Sequence, residues 1–239
     1  MTLLERYKNG ERDEVWAELR AAGEAVRDEP LFGEAQAVLR EAMARVRRNI
    51  QKIVQTLEGE GYRFGVWPQG DRPLEDVKAF EDFSDPPLGT PAPDVVERIA
   101  NFEAEFGAIP LSLRMFWEVV GSVALIGHHP AFSFLDSMNI FSSTMLEAAR
   151  NESEDYEGEI RIPVLPDFVG GNAAYVFAPM LGFDALLNDV MFDQTFFEHL
   201  KYCLLYAGFP PSMVNAPFED KPYVLPEMLQ RLAATLEPI

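Results

Sequence analysis

The chain has 239 residues, 48% of them apolar and 25% charged, with 39 acidic against 20 basic side chains and a formal net charge of −19. This balance excludes a wholly disordered chain and is enough to bury a sizeable core. A field of that sign repels phosphate backbones and anionic bilayers, so it argues against nucleic-acid or membrane partners and for a basic protein surface.

The start, Met1-Thr2-Leu3-Leu4-Glu5-Arg6, is charged almost at once and lacks the apolar core of a signal peptide. Cys203 is the single cysteine, so no internal disulfide can form. The expectation is a cytoplasmic chain. The least polar run, 119–135, is too short to span a bilayer and carries Gly121, Gly127, His128, His129 and Pro130, which suit a buried turn.

The first sixty residues read as helical. One helix is expected over Glu14 to Val26, with Trp16, Leu19 and Val26 on it and Gly23 weakening its middle. A second, from Glu34 to Glu58, carries Leu39, Met43, Val46, Ile50, Ile53 and Leu57 at alternating steps of four and three, with Gly59 and Gly61 to end it. Its far side holds Arg40, Arg45, Arg47, Arg48 and Lys52. The stripe predicts a face packed on the Trp16 helix; an intermolecular coiled coil would need a longer heptad run.

Tyr62 to Trp67 reads as a strand. Six prolines then fall at 68, 73, 86, 87, 91 and 93, predicting a long connection with one short helix near Leu74 to Phe83. Val95, Ile99, Phe102 and Phe106 predict a helix capped by Asp94 and stopped by Gly107. Leu113, Phe116, Trp117 and Val120 predict another, with Ser112 as cap and Gly121 as stop. Strands are expected at 123–126, 160–165 and 173–177, a buried helix at 196–206, and a last helix introduced by Pro226 with Leu225, Leu229, Leu232 and Leu236 aligned. The chain thus divides into a helical extension (1–62) packing on the main domain, a Pro-rich connection (63–94) and a main domain (95–239). Net charge divides with it: −2 over residues 1–62 and −17 over 63–239.

No motif carries recognisable catalysis. Gly170-Gly171-Asn172 lacks the rest of a phosphate loop, and no nucleophile elbow occurs. His128 and His129 are adjacent and point apart, while His199 and Cys203 lie in an apolar helix, so all read as structural. A hydrolase built on Asp167, His128 or His129 is the enzymatic alternative; it requires those groups to converge in a pocket. The acidic run 151–159 lacks the spacing of a calcium loop and predicts a solvated docking patch for a basic partner, with Glu152, Glu154, Asp155, Tyr156 and Glu157 as its contacts. Among aromatics in Pro/Gly-rich surroundings (Tyr175, Phe177, Phe183, Phe192 and Phe209), Tyr175 and Phe177 are the candidates to join that contact.

The order Ile99-x-x-Phe102-Glu103-x-x-Phe106-Gly107-x-Ile109-Pro110-x-Ser112-Leu113-x-x-Phe116-x-x-Val119-Val120-Gly121, with Trp117 after Phe116, resembles the SUKH superfamily of SMI/KNR-like domains. These are known as bacterial toxin-immunity proteins and as regulators in fungal cell-wall signalling. Ile162 to Asp167, Gly170-Gly171 to Tyr175, Phe196 to Pro210 and the helical start resemble the longer bacterial branch. The resemblance implies an α+β fold, a mainly antiparallel sheet flanked by helices and preceded by an N-terminal helical segment. It implies protein binding, without catalytic residues, metal or cofactor. A regulatory scaffold, whose helical start recruits a second partner, is the other non-enzymatic reading.

Overall fold

The computed structural model describes residues 1–66, 86–130, 137–152, 160–166, 174–188, 193–211 and 225–239. Helices α1 (Leu3–Lys8), α2 (Arg12–Ala21) and α3 (Leu31–Gly59) open the chain. The sequence reading took this region as helical without setting α1 apart, although its capping box is explicit: Thr2 Oγ1 accepts from Glu5 N, and a Glu5 carboxylate oxygen accepts from Thr2 N. The expected Glu14–Val26 helix begins earlier, stops at Ala21 and gives way to a 3-10 turn at Gly23–Arg27, because glycine is a poor residue for a helix interior. Helix α3 begins before Glu34, with Pro30 at its N-cap. At about 1.5 Å per residue it is roughly 43 Å long.

The predicted stripe of α3 is wholly buried: Leu39, Met43, Val46, Ile50, Ile53 and Leu57 are joined there by Ala35, Val38 and Ala42. Its basic side does more than face solvent. Arg47 donates to the carbonyls of Gly89 (3.1 Å) and Val120 (2.6 Å), Lys52 to Thr235 O (3.0 Å) and Arg45 to Pro238 O (3.1 Å). Asn49, only 2% exposed, clasps Glu237 both ways: its amide donates to Glu237 O and its carbonyl accepts from Glu237 N, both at 2.8 Å. Arg48 adds a two-pronged pair to the Glu237 carboxylate. An Asn49→Ala chain strands two backbone groups of the tail, and urea unfolding should show a loss of about 2 kcal/mol at unchanged m. A loss below about 0.5 kcal/mol would mean that water replaces the clasp.

The strand expected over 62–67 shrinks to β1 (Arg63–Phe64), since the chain turns at Gly65, whose N–H donates to Ile126 O (3.0 Å). The expected Leu74–Phe83 helix lies outside the described residues. The connection is not only a linker: Leu88 bridges Val123, and Gly89 N donates to Ser122 O (2.9 Å).

Helices α4 (Val95–Phe106) and α5 (Leu111–Val119) follow as expected, with one correction at a cap. Asp94 is the N-cap residue of α4 as expected, although its carboxylate pairs with Arg98 (2.9 Å) and makes no cap hydrogen bond. Ser112 is inside the first turn of α5, where Pro110 is the N-cap. Its N–H donates to Phe183 O (3.0 Å), and its Oγ accepts from Ala185 N (3.3 Å). A loop distant in sequence thus satisfies donors that a local cap would otherwise serve.

The strand expected over 123–126 is confined to β2 (Val123–Ala124), which pairs antiparallel with β4 (Asn139–Ile140); β3 (Gly127–His128), beyond it, pairs with β1. Helix α6 (Met145–Glu152) then leads to the main sheet, an antiparallel meander of β5 (Ile160–Leu165), β6 (Ala174–Ala178), β7 (Leu186–Asn188) and β8 (Asp193–Thr195). Helix α7 (Phe196–Leu205) starts at a capping box of Thr195 and Glu198, and α8 (Glu227–Ala233) ends the chain with Leu229 and Leu232 buried. The fold is α+β, with helices and small antiparallel sheets sharing one apolar cluster that runs from Leu3 to Ile239. Among the described residues, no helix is long and apolar enough to cross a membrane.

Candidate protein interface

Strand alternation decides what the main sheet presents. Ile160, Ile162 and Val164 on β5, and Ala174, Val176 and Ala178 on β6, point into the core, so Arg161, Pro163, Tyr175 and Phe177 point the other way. Register places Arg161 opposite Phe177 and Pro163 opposite Tyr175. The Arg161 guanidinium lies over the Phe177 ring, 5.8 Å from its centroid. On β7, Leu187 is buried while Leu186 is 42% exposed, on the same outer face as Phe177. Two candidates from the sequence, Tyr175 and Phe177, therefore stand half-buried on one face with Leu186 and Pro163. Leu186 was missed because β7 is three residues long and too short to show a period.

The acidic candidates are only partly placed. Glu152 is the last residue of α6; Glu154, Asp155, Tyr156 and Glu157 lie outside the described residues.

The residues of the Ile99–Gly121 pattern hold the fold. Phe102, Ile109, Leu113, Phe116 and Trp117 are buried. Glu103 is a hub for the turn after α4: Oε1 accepts from Ile109 N (3.1 Å) and Oε2 from Arg114 (3.1 Å), with Arg27 3.9 Å away. Arg27 donates in turn to Ile109 O and Leu181 O. Gly107 has φ +87°, and a Cβ there would stand 2.7 Å from Cβ of Pro179, so both conformation and space demand glycine. Pro110 then starts α5, and Gly121, at φ +95°, turns the chain out of it.

Among the described residues, the three histidines lie in separate surroundings. His129 Nε2 lies 3.0 Å from Glu60 O, His128 belongs to β3, and Asp167 lies outside the described residues. His199 is buried between Gln194, whose Nε2 is 3.2 Å from Nδ1, and Cys203, whose Sγ is 3.4 Å from Nε2. Burial holds the imidazole down to about 4 and pushes the Cys203 thiol well above its ordinary value, so both stay neutral near pH 7 and the thiol is a poor nucleophile. Burial also raises the Asp184 carboxyl, opposed by hydrogen bonds from Thr195, Ser112 and the N–H groups of Ala185 and Phe197. Asp184 joins the first turns of α5 and α7 to the start of β7, a structural node without a sequence motif. Among the described residues, no group of three His, Cys, Asp or Glu could hold a metal.

Comparison with protein-family models, with curated proteins and with solved structures finds no match for the chain.

Proposed function

We propose that the protein acts by binding another protein, as a SUKH-like cytoplasmic module, and that its partner is a basic toxin which it neutralises by direct contact, without catalysis. The observation that carries this reading is the outer face of β5–β7, where Tyr175, Phe177, Leu186 and Pro163 form an apolar centre beside Arg161. Aromatic anchors backed by a rigid sheet are what a protein interface needs at its middle. The −17 charge of residues 63–239 supplies long-range attraction for a basic partner.

The test is co-expression with toxins encoded beside its gene, followed by calorimetry on any pair that forms. Phe177→Ala combined with Tyr175→Ala should weaken binding about 30- to 1,000-fold, each anchor being worth about 1–2 kcal/mol. Raising the salt should slow association and leave dissociation nearly unchanged. If no neighbouring toxin is bound, or the double variant binds as wild type does, the reading fails.

A further inference from the structure

Away from the sheet face, one side of α3 recognises an extended stretch of chain. Arg45, Arg48, Asn49 and Lys52 stand at i, i+3, i+4 and i+7, so they share that side of the helix. Four of their bonds go to backbone: Lys52 to Thr235 O (3.0 Å), Arg45 to Pro238 O (3.1 Å), and Asn49 to both Glu237 O and Glu237 N (2.8 Å each). A grip on backbone is indifferent to side chains, so identity is read at two other places. Arg48 takes the Glu237 carboxylate through Nε (2.8 Å) and Nη2 (2.7 Å), and Ile239, 6% exposed, enters the apolar cluster. Pro238 between them fixes φ.

The seat does not depend on its occupant. Helix α3 is held along its other sides by the buried stripe and by Arg47, so its backbone stays in place without the 235–239 segment. Arg45 is also positioned independently, by Glu41 Oε1 (2.9 Å) and by the Tyr7 ring, whose centroid lies 5.1 Å from the guanidinium carbon. The occupant is held more lightly. Arg48 and Glu237 are each about half exposed, where an ion pair adds little. Helix α8, which delivers the segment, has seven residues, too few to be stable alone, and buries Leu229 and Leu232. Elements with few buried apolar contacts open first.

We propose that this side of α3 is a peptide-binding site which the chain's own 235–239 segment fills reversibly, and that it accepts in trans an extended acidic peptide in which Glu-Pro is followed by an aliphatic residue. Withdrawal of the segment uncovers three cations in a row, Arg45, Arg48 and Lys52, and a carboxylate is their complement. The backbone bonds and the apolar socket of Ile239 require the peptide to be extended and to carry an aliphatic side chain two residues after the Glu. This surface is separate from the β5–β7 face and takes a partner of the opposite charge.

The experiment uses the full ¹⁵N-labelled chain. In wild type the Glu237 amide should exchange with deuterium at least about 10-fold faster than the amides of Val46 and Ile50, the mark of an opening that spares the core. Equal rates would mean that the segment leaves only when the whole chain unfolds, and overturn the proposal. Glu237→Lys sets a cation against Arg48 and should free the segment while the amides of α3 and the sheet keep their dispersion. The acetylated peptide Ala-Thr-Leu-Glu-Pro-Ile, the sequence of 234–239, should then shift the amides of Arg45, Arg48, Asn49 and Lys52 with a Kd on the order of 0.1 mM, given the millimolar effective concentration of a tethered segment. The same peptide with Lys in place of Glu should bind at least about 10-fold more weakly. A Glu237→Lys chain that loses dispersion throughout, or keeps its segment seated, overturns the proposal. So does silence from the peptide, or equal binding of its Lys form.

Discussion

Replacing Trp16 by alanine should destabilise the entire chain by about 3–5 kcal/mol, in a single transition rather than by loosening the first helices alone. Trp16 is 2% exposed and lies on Phe197 of α7 with ring centroids 3.7 Å apart, and 5.0 Å from Phe183. Around this contact, Arg20 pairs with Glu198 and Lys201 with Asp13, each at 2.7 Å. Those exposed pairs add at most about 1 kcal/mol apiece, so the aromatic contact dominates. Helix α3 also packs on α5 through its buried stripe. Deleting residues 1–62 should therefore leave a chain with poor NMR dispersion and exposed apolar surface. A truncated chain that folds with a dispersed spectrum would show the helices to be a separable module and revive the scaffold reading.

Acidification from pH 6.5 to 4 should remove up to about 3 kcal/mol of stability through His199 alone. Its folded-state value is held to about 4 by burial, against an ordinary value of 6.5. Within that window the unfolded chain takes up a proton that the folded one refuses, so stability rises with pH and falls as pH drops. Asp184 works the other way, its raised carboxyl gaining stability as it protonates. Asp13, Glu198 and Glu237, held low by their hydrogen-bond partners, lose stability in more acid solution. Urea unfolding of wild type and His199→Leu at pH 7, 5.5 and 4.2 separates these contributions. The variant should be flatter by the His199 share; equal slopes would place the acid sensitivity elsewhere.

What was legible locally was legible for a local reason. The stripe from Leu39 to Leu57 repeats every three or four residues, and the runs 160–165 and 173–177 are short apolar segments that read as strands, while only the burial of their neighbours shows that Tyr175 and Phe177 face out. The cap of α5 was misread because Ser112 answers to Phe183 and Ala185, more than seventy residues away. The strands β2, β3, β4, β7 and β8 have two or three residues each, too few to carry a period, and pairing with a neighbouring strand defines them.

By itself the sequence determined the acidity, the long amphipathic helix and the two aromatics on the sheet. Charge is a sum over residues, and periodicity is a property of neighbours. Only the tertiary structure decided that Arg47, Asn49 and Lys52 grip distant backbone rather than water, and that Leu186 joins Phe177. Those are contacts between segments far apart in the chain, and no local pattern encodes which segment will arrive.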